Sequence, residues 1–118
     1  MKLNYITLMV RDLEKSVDFY TKIAKLQVQA NLKLPMGKIV FLANEEGETR
    51  LELVDFKGVE KVETKGLVLS FHVEGSLEEF YSTVVNAGYT PSDIFDMAPK
   101  PKHFKLKDPD GIIIEFSN

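Results

Sequence analysis

The chain repeats itself at an offset of 63 residues, and that repeat restricts its fold more than any other feature. Tyr5-Ile6-Thr7-Leu8-Met9-Val10 is matched by Val68-Leu69-Ser70-Phe71-His72-Val73. Ile6, Leu8 and Val10 share their parity with Leu69, Phe71 and Val73, and a period of two is that of a half-buried strand. A helical pattern follows each strand: Leu13, Val17, Tyr20 and Ala24 in the first half, and Leu77, Tyr81, Val84 and Gly88 in the second. Spacings of four, three and four place each set on one helix face. Asp12 and Ser76 stand where helix N-caps are expected. At the far ends Phe41 answers Phe104 and Glu52 answers Glu115 at the same offset.

Each half closes on a strand, a turn and a strand. The turns are Asn44-Glu45-Glu46-Gly47 and Asp108-Pro109-Asp110-Gly111, the second with the Asp, Pro and Gly spacing of a type I turn. Gln27 to Leu34 and Tyr89 to Met97 read as further strands, edged by Pro35 and Pro91. Each half is therefore β-α-β-β-β. A unit of that size covers one face of its sheet with its helix, and the other face needs a further partner. Two such units predict two curved sheets sharing a cleft. With 118 residues the chain fits one domain, spanning 1–118, with modules of about 1–58 and 65–118 joined by the polar stretch Lys57 to Gly66.

Parity divides the strand residues. Ile6, Leu8, Leu51, Leu53, Ile114 and Phe116 are assigned to the helix side. The opposite side carries Tyr5, Thr7, Arg50, Glu52, Ser70, His72 and Glu115. Its mixture of hydroxyls, carboxylates, an imidazole and a guanidinium is that of a ligand cleft or a half-wet sheet face. His103 follows the stiff segment Ala98-Pro99-Lys100-Pro101-Lys102 and has cleft parity, so it is a further candidate contact. Lys100, Lys102, Lys105 and Lys107 read as a solvated charge run.

Composition excludes several functions. The absence of cysteine removes disulfides, thiolate zinc sites and a Cys nucleophile. A net charge of -3 argues against nucleic acid, which needs a basic face. No apolar run approaches the ~18 residues of a membrane span, and Met1 to Val10 lacks the features of a signal peptide. The expectation is a cytoplasmic protein that engages neither nucleic acid nor membrane.

Three segments resemble one family. Tyr5 to Tyr20 looks like its opening strand and "S-x-x-F-Y" helix, Leu69 to Val73 like the opening strand of its second module, and Leu106 to Glu115 like its closing "F-x-D-P-D-G-x-x-x-E" hairpin, with Leu106 in place of Phe. The family is the vicinal oxygen chelate superfamily of glyoxalase I, bleomycin-resistance proteins and extradiol dioxygenases. The resemblance implies an α+β fold of two βαβββ modules forming a half-open barrel with a central cleft, as a homodimer. Its four metal positions fall on Tyr5, Glu52, Val68 and Glu115, where His, Glu, His and Glu are usual. Both histidines are missing, and open catalytic sites normally show about three protein ligands. The expectation is thus no metal and no cofactor: a metal-independent small-molecule binding protein resembling the bleomycin-resistance branch. The alternative is a divergent lyase, isomerase or dioxygenase. It would use Glu52 and Glu115 with a weakly held divalent metal, or as acid and base with a raised carboxyl pKa. In the bland case each Glu pairs separately with Arg50 or a lysine.

Overall fold

A computed structural model describes all 118 residues. The chain forms two compact units, Met1–Glu63 and Thr64–Asn118. Both are α+β, and neither sheet closes on itself.

In the first unit β1 (Tyr5–Met9) leads through the Asp12 cap into α1 (Leu13–Asp18), where the Asp12 carboxylate accepts the Lys15 amide at 3.1 Å. The helix does not continue as α to Ala24. It widens into a π turn over Phe19–Ile23, closed by the Ala24 amide on the Phe19 carbonyl at 3.3 Å. This wider turn buries the adjacent aromatics Phe19 and Tyr20 together. Strands β2 (Gln27–Leu34), β3 (Gly37–Ala43) and β4 (Arg50–Phe56) complete a sheet ordered β1-β4-β3-β2. Strand β1 pairs with β4 in parallel, and the other two pairings are antiparallel, with a bulge in β2 between Val28 and Ala30. Leu8, Leu42, Leu51 and Leu53 bury the helix side of this sheet with Phe19 and Tyr20. Each such side chain contributes about 1.5–3 kcal/mol of transfer free energy.

The second unit repeats the plan with β5 (Val68–His72), α2 (Leu77–Asn86), β6 (His103–Lys107) and β7 (Ile113–Ser117), in the order β5-β7-β6. Ser76 caps α2 by accepting the Glu79 amide at 3.2 Å. Phe80, Phe104 and Phe116 form its aromatic core, with centroids 4.9 to 5.9 Å apart.

Two features differ from the sequence reading. Tyr89 to Met97 is not a strand but follows β6 through one bridge, Phe95 to His103. Pro91 has no amide to donate, and the Ser92 hydroxyl accepts the Lys105 amide at 2.9 Å where a strand carbonyl would stand. The second difference is in the repeat. Glu52 faces Phe41 across its hairpin, whereas Glu115 faces Lys105. Phe41 thus corresponds to Lys105, and the counterpart of Phe104 is the buried Val40. The cause is loop length: six residues join β3 to β4, and five join β6 to β7. A one-residue difference turns every side chain of the preceding strand to the other face.

Candidate functional site

The parallel pairing in each unit sets a hydroxyl beside a carboxylate. Thr7 is the register partner of Glu52, and Ser70 that of Glu115. The Thr7 hydroxyl donates to Glu52 Oε1 at 2.5 Å, and the Ser70 hydroxyl to Glu115 Oε1 at 3.0 Å. The repeat therefore preserves a small chemical unit as well as a fold. Beyond that pair the two halves diverge.

In the first unit the surroundings of Glu52 are aromatic and cationic. Tyr5 and Phe41 meet edge to face at 5.5 Å. The Arg50 guanidinium lies 4.3 Å from the Phe41 ring centroid and 5.8 Å from that of Tyr5. Arg50 does not pair with Glu52, whose polar partner is Thr7. At the sheet end a recess of about 630 Å³ is bordered by Arg50, Lys2, Asn4 and the Glu45–Glu48 turn.

In the second unit Glu115 is nearly enclosed, its side chain 8% exposed, and both oxygens are engaged. Oε1 accepts from Ser70, and Oε2 accepts from the Lys100 ammonium at 2.6 Å. Burial pushes this carboxyl up. The hydrogen bonds from Lys100 and Ser70 and the positive charges of Lys100 and His103 outweigh that push, and hold it below the ordinary carboxylate range. A raised carboxyl pKa, the property expected of an acid or base, is therefore not found at Glu115.

The two histidines fare differently. His72 ends β5, exposed, with Ser117 as its register partner. His103 opens β6 half-buried, with its ring stacked on Phe95 at 5.8 Å. Its Nδ1 lies 2.8 Å from the Pro101 carbonyl, which can only accept, so Nδ1 carries the proton and Nε2 is left as the acceptor in the neutral ring.

Of the four positions that the resemblance assigns to a metal, two are compromised within their own unit: Val68 offers no donor atom, and Glu115 already holds an ammonium. Within neither unit do three His, Cys, Asp or Glu side chains converge so that they could hold a metal ion. The residue missed in the sequence is Lys100, which reads there as one charge in a solvated run. The flanking Pro99 and Pro101 were its one visible distinction. Lys102 of the same run pairs with Glu78 at 2.6 Å.

Paired βαβββ-type units with a carboxylate on the last strand of each define a recognised class, and the comparisons agree. The model of the Glyoxalase/Bleomycin resistance protein/Dioxygenase superfamily matches residues 2–116, and the chain belongs to that superfamily. Its fold is similar to that of TnmS3, an antibiotic binding protein from Streptomyces sp. CB03234, with a TM-score of 0.78 and 22% identity over 99% of this chain and 94% of that one. Glyoxalase I of Leishmania major gives 0.82 and 23% identity, covering 100% and 86%. The fosfomycin resistance protein FosX of Listeria monocytogenes gives 0.76 and 17%, covering 99% and 92%. No curated protein sequence shows a significant match to the chain. No helix is long and apolar enough to cross a membrane.

Proposed function

We propose that this protein binds a small organic molecule without a metal, in the manner of the resistance and antibiotic-binding members of its superfamily. The observation that carries this reading is the Lys100–Glu115 pair. An ammonium at 2.6 Å, with Ser70 on the other oxygen, already neutralises that carboxylate, so a second cation gains little there and little basicity is left for proton abstraction. Tyr5, Thr7, Arg50, Glu52, Ser70, His72, His103 and Glu115 are the residues assigned to ligand contact, all on the sheet sides turned away from the helices or beside them. The likeness to TnmS3 supports a ligand of antibiotic type.

We also read the protein as a cytoplasmic homodimer. Strand β2 is the edge of its sheet, and Val28, Leu32 and Leu34 on it are each more than 40% exposed. A long edge with apolar side chains normally needs cover. Light scattering after size exclusion checks the dimer, and a monomer at micromolar concentration would refute it.

The test of function pairs metal analysis with binding. Protein purified without chelator is compared with the Glu52→Gln, Glu115→Gln double variant by plasma mass spectrometry, and metal-free bleomycin is titrated into the wild type with and without EDTA. Substoichiometric metal in both proteins and a saturable, EDTA-insensitive isotherm are expected. Stoichiometric metal that disappears in the double variant would replace this reading with the lyase, isomerase or dioxygenase alternative.

A further inference from the structure

We propose that Arg50 is an oxyanion clamp within the first unit, built to take the carboxylate of an aryl monocarboxylic acid whose ring packs on Tyr5. The inference deepens the binding-protein reading, since it needs this face of the sheet to receive a ligand.

Arg50 opens β4, and its amide donates to the Asn4 carbonyl at 3.0 Å, so its backbone is fixed at the sheet end. Its side chain is half-buried, with the guanidinium 4.3 Å from the Phe41 centroid. A cation–π contact engages the charge of the group and does not use up its five N–H donors. None of those donors finds an acceptor within the protein, and no carboxylate pairs with the group. That is unusual given its neighbours. Glu45, Glu46 and Glu48 border the same recess, and Glu52 lies two residues along the same strand face. A guanidinium held by an aromatic ring beside four acids, and paired with none, is ordered in advance for an acceptor from outside.

The surroundings select that acceptor. A carboxylate matches the planar fork with two parallel hydrogen bonds. The three turn glutamates outnumber Lys2 at the recess and repel a doubly charged phosphate or phosphonate more than a single carboxylate. Tyr5 stands 43% exposed, meets Phe41 edge to face and does not border the recess. Its exposed ring beside the guanidinium favours an aryl group over an alkyl chain.

The test follows benzoate and its neutral isostere benzamide into isotope-labelled full-length protein by NMR, in buffer containing EDTA. The Arg50 Nε–H signal and the Tyr5 and Phe41 ring signals should move together and saturate with benzoate. Benzamide and phenylphosphonate should each bind about tenfold more weakly or worse. Arg50→Gln should lose the benzoate response, and Arg50→Lys, which keeps the charge but not the fork, should retain part of it. Glu60→Gln, an exposed position outside the site, should leave it unchanged. Equal affinity for benzamide, or benzoate shifts that survive Arg50→Gln in a well-dispersed spectrum, would overturn the proposal. A benzoate failure beside intact, EDTA-insensitive bleomycin binding would overturn the clamp alone. Loss of both would remove the binding-protein reading with it.

Discussion

Lys100 stands between two prolines and sends its ammonium to a glutamate that the sheet has nearly enclosed. The consequence is electrostatic. Glu115 is charged in the folded state below the pH at which an unfolded carboxylate of pKa about 4.3 would protonate. Because its folded pKa is lowered, the pair stabilises the protein above that unfolded value and loses its effect as pH falls through the folded one. Lys100→Met should therefore cost about 1–2 kcal/mol at pH 7, discounted because the lysine side chain is 52% exposed. The cost should shrink as pH falls below the unfolded value and through the lowered folded one, and urea denaturation at pH 7 and across the acid limb checks it. In the variant, burial dominates and the Glu115 carboxyl should titrate higher than in the wild type, which carboxyl-carbon NMR reads directly. An equal cost at pH 7 and across the acid limb would show that the lysine acts by packing alone. At this scale the candidate site was partly legible. Parity puts Thr7, Glu52, Ser70 and Glu115 on the face away from the helices, because the strand period is a local rule, but which hydroxyl meets which carboxylate is set by the long-range parallel register. The partner of Glu115 was not legible. It comes from a loop 15 residues upstream, whose course depends on tertiary packing.

Elements show where local rules hold and where length overrides them. The caps, the Asp108 turn and every expected strand except Tyr89 to Met97 follow the sequence. In that turn the Asp108 carboxylate accepts the amides of Asp110 and Ile112 at 2.8 and 2.9 Å. The π turn and the one-residue slip between hairpins escaped, since both are matters of count rather than of residue type. The tight hairpin between β2 and β3 gives one prediction. Gly37 has a φ of 149°, and a Cβ there would lie 1.9 Å from the Asp55 carbonyl oxygen. Gly37→Ala should destabilise the protein by about 2–4 kcal/mol, because backbone rather than a flexible side chain must move. A melting temperature within a degree or two of wild type would refute the close approach. The helix ends give a prediction of opposite sign. Gly88, with φ of 95°, terminates α2, and Lys25 occupies the matching place after the π turn with φ of 62°. A non-glycine residue in that region costs about 1–2 kcal/mol, less the extra freedom glycine gains when unfolded. Lys25→Gly should therefore raise stability by up to about 1 kcal/mol, measurable as a shift in urea midpoint with unchanged slope.

At the scale of the whole molecule, the question is whether two units built on one plan still do what the plan does elsewhere in the superfamily. Both keep the hydroxyl–carboxylate pair, yet Phe41 stands opposite one carboxylate on the neighbouring strand while Lys100 neutralises the other. The hydroxyl–carboxylate pair is retained in both units, and the charges around it differ. A metal centre demands several donors left unsatisfied until an ion arrives. A resident metal would also show in stability. An ion present at 100 times its dissociation constant adds about 2.7 kcal/mol, which for a chain of this size is a melting shift of roughly 6–15 °C. We expect EDTA to leave the melting temperature of purified protein unchanged. Added Mn²⁺, Ni²⁺ or Zn²⁺ should raise it by no more than about 1 °C, since an ion can stabilise the folded state only by binding it. The Lys100→Met variant sharpens the comparison. With the ammonium gone, Glu115 regains an oxygen able to meet a cation, and a small stabilisation by Mn²⁺ should appear that the wild type lacks. A large metal-dependent rise in the wild type itself would mean that Lys100 yields its place, and that the pair is a gate over a functional metal position rather than a replacement for one.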